Sequence, residues 1–595
     1  MAKQLTREEV SDEYKWDLTP IYKDVDEFNK HFLKTEKLVL EVSDYKGKII
    51  TSSDNILKYL EYDMNVSRQL SRLYYYAHLN SDADTQDILY QELSGRVTNL
   101  FTKYDELSAF VGPEFLTINV ETMKDYIKEN EKLKAHEFNL LNIYRYVDHT
   151  LSESEEELLT NFTQTAGSAS EIYDALTNTD IKFPNITDEK GNEVELTESN
   201  YSVYLRSKNR SVRESAFKSL LTTYNKYKTT LSSTLKGQIE ALCTTAKVRK
   251  YKSSLEASLY SDEVPVDVYN NLIKTVNENL DIIHDYYKTK KECLNLPEMH
   301  IYDLYVDLVD EIDKTYSVEE AKKLILEACA PLGEDYIEIL NKAFDEKWID
   351  FYNNKSKRTG AYSSGFYDTN PYILLNFESK FDDVSTMAHE LGHSLHSYYS
   401  KEQEYQNSSY TIFVAEVASL TNELLLYYSI LNKTKDKKEK KYVLNYLMEL
   451  YKSTIYRQVM FAEFERDIHK DKENGEILTS QFLSDKYYKL NKKYYGENVL
   501  VDDELKNEWM RIPHFYYDFY MYKYAVGLAC ASDIVKRILE NKENSLEDYK
   551  NFLKSGGSDS PINLLKKAGI DVTNQDYVKS ALDMFKDLIE QFKNL

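Results

Sequence analysis

The chain has 595 residues, a formal net charge of −25, and only 16 Gly and 9 Pro, against average usages of about 7% and 5%. So few chain breakers over that length imply long helices and a large buried core, which excludes an all-β fold and a small module. The acidity argues against a phosphate-backbone partner, because non-specific nucleic-acid binding needs Lys and Arg to neutralise phosphates.

The opening stretch, MAKQLTREEVSDEYKWDL, is charged from its start and lacks the apolar core of a signal peptide. No run of about 18 apolar residues follows, so no spanning helix is expected. Cys243, Cys293, Cys329 and Cys530 are far apart and show no C-x-x-C pairing, which suits structural thiols in a reducing compartment. A soluble cytoplasmic protein is the expectation. The 52 tyrosines are read as background composition.

Over residues 24–181 apolar residues recur at helical spacing, as in 56–79, and predict packed antiparallel helices. The acidic run at 152–158 reads as a helix start, where carboxylates complement the dipole. In DIKFPNITDEKGNEVEL (180–196) a turn at 188–191 between short apolar stretches predicts a hairpin. It marks the boundary between an N-terminal helical domain, 1–200, and a second domain, 201–595, that holds the chemistry. Residues 201–250 resume as long amphipathic helix, and Pro265 opens another. In TGAYSSGFYDTNPYILLNF (359–377), PYILLNF reads as a strand and GAYS as a second one. A strand laid just before the next motif suits backbone pairing with an extended peptide; a structural hairpin is the alternative.

Residues 385–400 read STMAHELGHSLHSYYS. On a helix, His389 and His393 project to one side and can grip one metal ion. Glu390 is turned roughly 100° from His389, beside the metal, where it can serve as a general base. This is the H-E-x-x-H pattern of zinc metallopeptidases. A chance pattern is the bland reading. Against it stand the apolar flanks Val384, Met387, Ala388, Leu391 and Leu395, which would bury a His-Glu-His set at a cost unless it binds something.

Catalytic zinc takes three protein ligands and keeps one position open. Glu416 sits among Val414, Ala415, Val417 and Ala418, where a charge must be paired or metal-bound; a buried salt bridge is the alternative. The small neighbours would let the two helices approach closely. The Lys-rich run 434–441 reads as a solvated loop. Further on, His514, Tyr517, Tyr520 and Tyr524 have the spacing to share one helical face and to present donors to an oxyanion, although an aromatic stripe is more often core.

Taken together, HELGHSLH with AEVASLTNE, GAYSSGFYDTNPYILLNF, RQVMFAEFE (457–465), RIPHFYYDFYMYKYAVG (511–527), KWDL near the start and the 180–196 hairpin resemble the oligoendopeptidase F group of thimet-oligopeptidase-like zinc peptidases. The resemblance covers nearly the whole chain. It implies a mainly α, large helical zincin-like metallopeptidase, with a small β-sheet beside the active site and a deep substrate channel between two helical lobes. It implies endopeptidase activity on short peptides, while the acidity and the lack of a long apolar run predict no nucleic-acid or membrane partner.

By position, His389, His393 and Glu416 match the ligands of one Zn²⁺, and Glu390 matches the general base. His396 matches the last histidine of HExGHxxH, which is not a ligand, although seven residues after His389 it returns to a similar face. Glu423 is a candidate for orienting a histidine. Relatives use a histidine and tyrosines to stabilise the tetrahedral intermediate, which points to His514, Tyr520 and Tyr524, with Tyr522 a rival to Tyr520. Gly360, Ala361, Tyr362 and Tyr517 are candidates for holding the peptide. Two other readings stay open: a carboxypeptidase, which would need a basic group for the terminal carboxylate, and a carrier with a structural zinc, which would need a fourth protein ligand.

Overall fold

The helical stripe at 56–79 lies within one 31-residue helix, α1 (Ser53–Ala83), of a computed structural model that describes residues 5–309 and 314–595. Ser52 caps it, its side chain accepting the Asn55 N–H at 3.2 Å. Val66, Leu70, Leu73 and Ala77 are buried along its inner face. The acidic run opens the helix Glu153–Ala166, and Pro265 immediately precedes Val266–Glu278. Strands β1 (Ile186–Thr187) and β2 (Glu193–Val194) form the small antiparallel hairpin. Its turn is held by Asp188 Oδ1, which accepts the N–H groups of Lys190 and Asn192 at 2.8 Å, and by Gly191 at φ +83°.

Two local expectations are corrected. Residues 201–250 lie not in one helix but in three, Glu198–Leu205, Arg210–Lys226 and Lys228–Val248. The first break falls at Asn209, whose side chain accepts the Ser211 N–H and so restarts the helix. The Lys-rich run is loop only over 434–436. Asp436 accepts the Lys438 N–H at 2.7 Å and caps Lys437–Tyr451, so Lys437, Lys438, Lys440 and Lys441 open that helix.

By internal contacts the chain divides into two units, each built from three segments. One comprises Met1–Asp148, Asp313–Ser429 and Ile534–Ile570, the other His149–Ile312, Ile430–Asp533 and Asp571–Leu595. This division does not coincide with a single cut at residue 200.

The first unit holds α1, a three-stranded sheet, the helices α2 (Phe381–Ser400) and α4 (Ser545–Lys554), and all but the last four residues of α3 (Ile412–Lys433). The sheet comprises β3 (Ile349–Tyr352), β4 (Tyr362–Ser364) and β5 (Tyr372–Phe377), in the order β3-β5-β4. Central β5 runs parallel to β3 and antiparallel to β4. Tyr372 and Leu374 of β5 share one hydrophobic core with the N-terminal helices. Nothing in the sequence flagged β3, because Asp350 interrupts its apolar run. That carboxylate is fully buried and paired with Lys357 Nζ at 2.6 Å and Arg7 Nη1 at 2.8 Å, which makes a charged strand residue tolerable.

In the second unit Tyr286, Tyr451 and Tyr456 pack around Phe585 with ring centroids 5.7–5.8 Å away. Much of the abundant tyrosine is therefore core. The four cysteines are free thiols. Among the described residues no helix is long and apolar enough to cross a membrane.

Candidate metal centre

Helix α2 is buried over most of its length, and the half-buried stripe Thr386, His389, His393 and Ser397 runs along it at helical spacing. The two imidazoles therefore lie on a face that is not closed by core. Helix α3 crosses α2 at Gly392. A Cβ at that position would lie 2.6 Å from Ala418 O and from Ser419 Cα, so only glycine permits the approach.

The crossing delivers Glu416. Its Oε2 lies 3.4 Å from His389 Nε2 and 3.7 Å from His393 Nε2. One atom from each residue falls within 4.8 Å of the other two, and among the described residues this is the only such group of three. Two imidazole nitrogens and a carboxylate oxygen are a donor set that zinc accepts. Ser419, one turn beyond Glu416, donates to its Oε2 at 3.0 Å.

Glu423 lies two turns beyond Glu416, and its Oε2 is 3.1 Å from His389 Nδ1. The ring is thereby oriented with Nε2 toward Glu416. Ser385 donates to Glu423 Oε1 at 3.0 Å and lies 2.9 Å from the Tyr427 hydroxyl. Ser385, Ser419 and Tyr427 escaped the sequence reading, although a serine four residues before His389 or three after Glu416 is spaced to reach each carboxylate.

The electrostatics favour positive charge at this point. Burial disfavours a charged His389, yet the Glu416 and Glu423 carboxylates outweigh it and raise His389 to about 10. Burial and the charge of His389 lower His393 to about 4. Burial opposes ionisation of Glu416, but the two histidines hold it at about 2. Glu390 is 7% exposed; burial raises it to about 7, while the Ser363 N–H of β4 donates to its carboxylate. His396 stands outside the ligand group: its ring stacks on Tyr410 at 3.7 Å and packs on Phe552 of α4 at 5.2 Å.

Among the described residues β4 is an edge strand, paired with β5 alone. Three residues of α1 spaced seven apart hold the segment around it. Arg68 donates to Asp368 at 2.8 Å, Tyr75 stacks on Phe366 at 5.3 Å, and Asp82 accepts the Tyr362 hydroxyl at 2.8 Å and Arg358 at 3.1 Å. Gly360 has φ +84°, and its carbonyl accepts from Asn376 at 2.7 Å. Half-buried Ala361 links it to β4.

His514 and the candidate tyrosines lie in the second unit. They do not share a helical face, because the helix Tyr522–Leu539 begins only after a turn with Asp518 at φ +48° and Phe519 at φ +63°. The turn nevertheless gathers them. The His514 ring is 5.6 Å from Tyr517 and 6.3 Å from Tyr524, and Tyr524 is 5.3 Å from Tyr520. Tyr517 is 53% exposed, whereas Tyr522 is fully buried, 5.0 Å from Tyr269 and outside this group. Burial lowers the His514 pKa below the usual imidazole range.

The family model for peptidase family M3 matches residues 203–584, and the model for oligopeptidase F matches 114–183. The chain is 43% identical to oligopeptidase PepF of Bacillus subtilis, over 100% of this chain and 89% of that protein. It is 37% identical to group B oligopeptidase PepB of Streptococcus agalactiae, over 99% and 98%. Its fold is similar to the crystal structure of oligoendopeptidase-F from Enterococcus faecium, with a TM-score of 0.75 and 35% identity over 96% and 98% of the two chains.

Proposed function

Because the chain belongs to peptidase family M3, in its oligoendopeptidase F branch, we propose that it is a zinc enzyme cutting internal bonds of short peptides, with His389, His393 and Glu416 holding one Zn²⁺. That it is a metalloendopeptidase, hydrolysing peptide bonds, follows from the family itself. The observation that carries the finer reading is the arrival of the Glu416 carboxylate between the two imidazoles, through a helix crossing that only Gly392 allows. A zinc ion held by these three residues would supply Lewis acidity there, toward a peptide carbonyl and toward water.

The chain's own residues do the rest. Glu390, one step around α2 from His389, takes a proton from water and returns it to the leaving amine. The edge of β4 that pairs with no strand among the described residues offers backbone groups to an extended peptide, and the Ser363 N–H links that strand to Glu390. His514, Tyr520 and Tyr524 are assigned to the oxyanion, each such donor being worth roughly 100- to 1,000-fold in rate. The family resemblance and the clustering of imidazole and phenols support that assignment. Among the described residues the group has three members, and three protein ligands would leave a position open on the ion, which would suit catalysis rather than a structural zinc.

The test is Glu390→Gln, with elemental analysis of zinc and mass-spectrometric mapping of cuts in end-blocked peptides of graded length. Zinc near one per chain with turnover reduced about 10²- to 10⁴-fold is expected. Undiminished cleavage would overturn the mechanism, and end-blocked peptides left intact by the wild type would overturn internal cutting.

A further inference from the structure

Between His514 and Tyr524 the chain makes a turn that its own residues disfavour. Asp518 has φ +48° and Phe519 φ +63°. Asp visits this left-handed region at modest cost, but a bulky aromatic residue there is an outlier. Such conformations persist only where surrounding contacts over-determine them, and they gather at functional sites.

The contacts come from groups of the same unit, among them the buried Glu465, His469 and Tyr269. Glu465, in the helix Gln458–Glu473, is 1% exposed and accepts the Phe519 N–H on Oε1 at 2.8 Å. Ser258 donates its hydroxyl to Asp518 O, and Gln238 donates its side-chain amide to Asp518 Oδ1 at 3.0 Å. The Phe519 ring is held between His469, at 4.6 Å, and Tyr269, at 5.8 Å. Glu465 Oε2 is buried with no hydrogen-bond partner among the described residues, whereas Glu463 and Glu508 are paired with Lys493 and Arg457. A carboxyl buried in this way is costly, and the backbone N–H it satisfies belongs to the strained turn.

We infer that Glu465 is a positioning residue for the oxyanion side of the reaction: by holding the Phe519 N–H it locks the left-handed turn, and so fixes where Tyr517 and Tyr520, flanking the turn, and their ring neighbours His514 and Tyr524 present their donors. The inference rests on the assignment of His514 and the tyrosines to the oxyanion. If Phe519 relaxed to an ordinary φ, the chain direction at Tyr520 would change. Donors to a developing oxyanion tolerate little displacement, since they act at 2.7–3.1 Å.

The test uses the full-length, zinc-loaded enzyme. Glu465→Gln keeps an acceptor for the Phe519 N–H, and Glu465→Met removes it. Glu465→Gln is expected to keep kcat within about 3-fold of wild type, while Glu465→Met lowers kcat about 10- to 100-fold with KM within about 2-fold. Affinity for a phosphinic peptide, a stable tetrahedral anion, should fall in the same proportion as kcat, with zinc content unchanged. If Glu465→Met does not fold, Ser258→Ala carries the test, with kcat about 3- to 10-fold lower and KM unchanged. Wild-type kcat per folded, zinc-loaded molecule in the variant tested, while His514→Ala is impaired, would overturn the inference alone. An unimpaired His514→Ala would overturn the oxyanion assignment beneath it.

Discussion

The hydroxyl of Tyr362, the first residue of edge strand β4, donates to Asp82 Oδ2 at 2.8 Å and ties that strand to the C-terminal end of α1. Helix α1 carries none of the catalytic motifs, yet it sets the strand proposed to hold the peptide. Tyr362→Phe should cost about 0.5–1.5 kcal/mol in urea unfolding, and Asp82→Ala about 1–3 kcal/mol, because it also leaves the Tyr362 hydroxyl unpaired. Both should raise KM for short peptides. A wild-type KM in both variants would take β4 out of the substrate's path.

Gly392→Ala tests the helix crossing. The new Cβ would meet backbone atoms of Ala418 and Ser419 at 2.6 Å, and backbone cannot rotate away as a side chain can. Moving α3 off α2 should cost about 1–3 kcal/mol or more and withdraw Glu416 from the histidines. The paired readouts are thermal unfolding and zinc retention against a chelator. Full zinc affinity in a folded Gly392→Ala protein would show that the crossing does not set the ligand geometry.

Glu423 holds the Nδ1 side of His389 and is itself held by Ser385. Glu423→Ala should weaken zinc binding about 10- to 100-fold, with a smaller loss for Ser385→Ala. Competition with a fluorescent zinc chelator measures both. An affinity unchanged in Glu423→Ala would remove the orienting role.

His469 makes stability depend on pH. Burial lowers its pKa to about 3, while the unfolded ring titrates near 6.5. It is surrounded by the Phe519 ring, Ser254 Oγ at 3.2 Å from Nδ1 and the Cys243 thiol at 3.9 Å, with Glu473 bonded to Ser254. Below about pH 6.5 the unfolded state binds a proton that the folded state excludes. Stability is therefore full above that pH and falls toward pH 3 by up to about 1.4 kcal/mol per unit. In His469→Gln the stability lost between pH 7 and pH 5 should shrink by roughly 2 kcal/mol, read from urea midpoints. An equal loss in both proteins would show that His469 is not the group responsible.

Local patterns were legible where a short-range rule decides the structure. The apolar spacing at 56–79 lies in one helix, the Asp188–Gly191 turn closes the small hairpin, and PYILLNF is the central strand. The rule failed where two local choices compete. Lysines suit a loop or a helix equally, and the Asp436 cap decides in favour of helix. The apolar run of β3 is broken by Asp350, which is acceptable only because Arg7 and Lys357 meet it.

The sequence by itself determined that two histidines face the same way, since a four-residue step is fixed by helix geometry. It also determined the family, through motifs spread over nearly the whole chain. Only the tertiary structure decided how Glu416 reaches those histidines, because that depends on a backbone approach at Gly392. The same holds for the aromatic group around His514. Its spacing permits a helical face, but Glu465, 54 residues before Phe519, holds the chain in a left-handed turn instead. A carboxyl so distant in sequence leaves no periodic trace, and a backbone conformation that residues avoid on their own becomes visible only with the contacts that hold it.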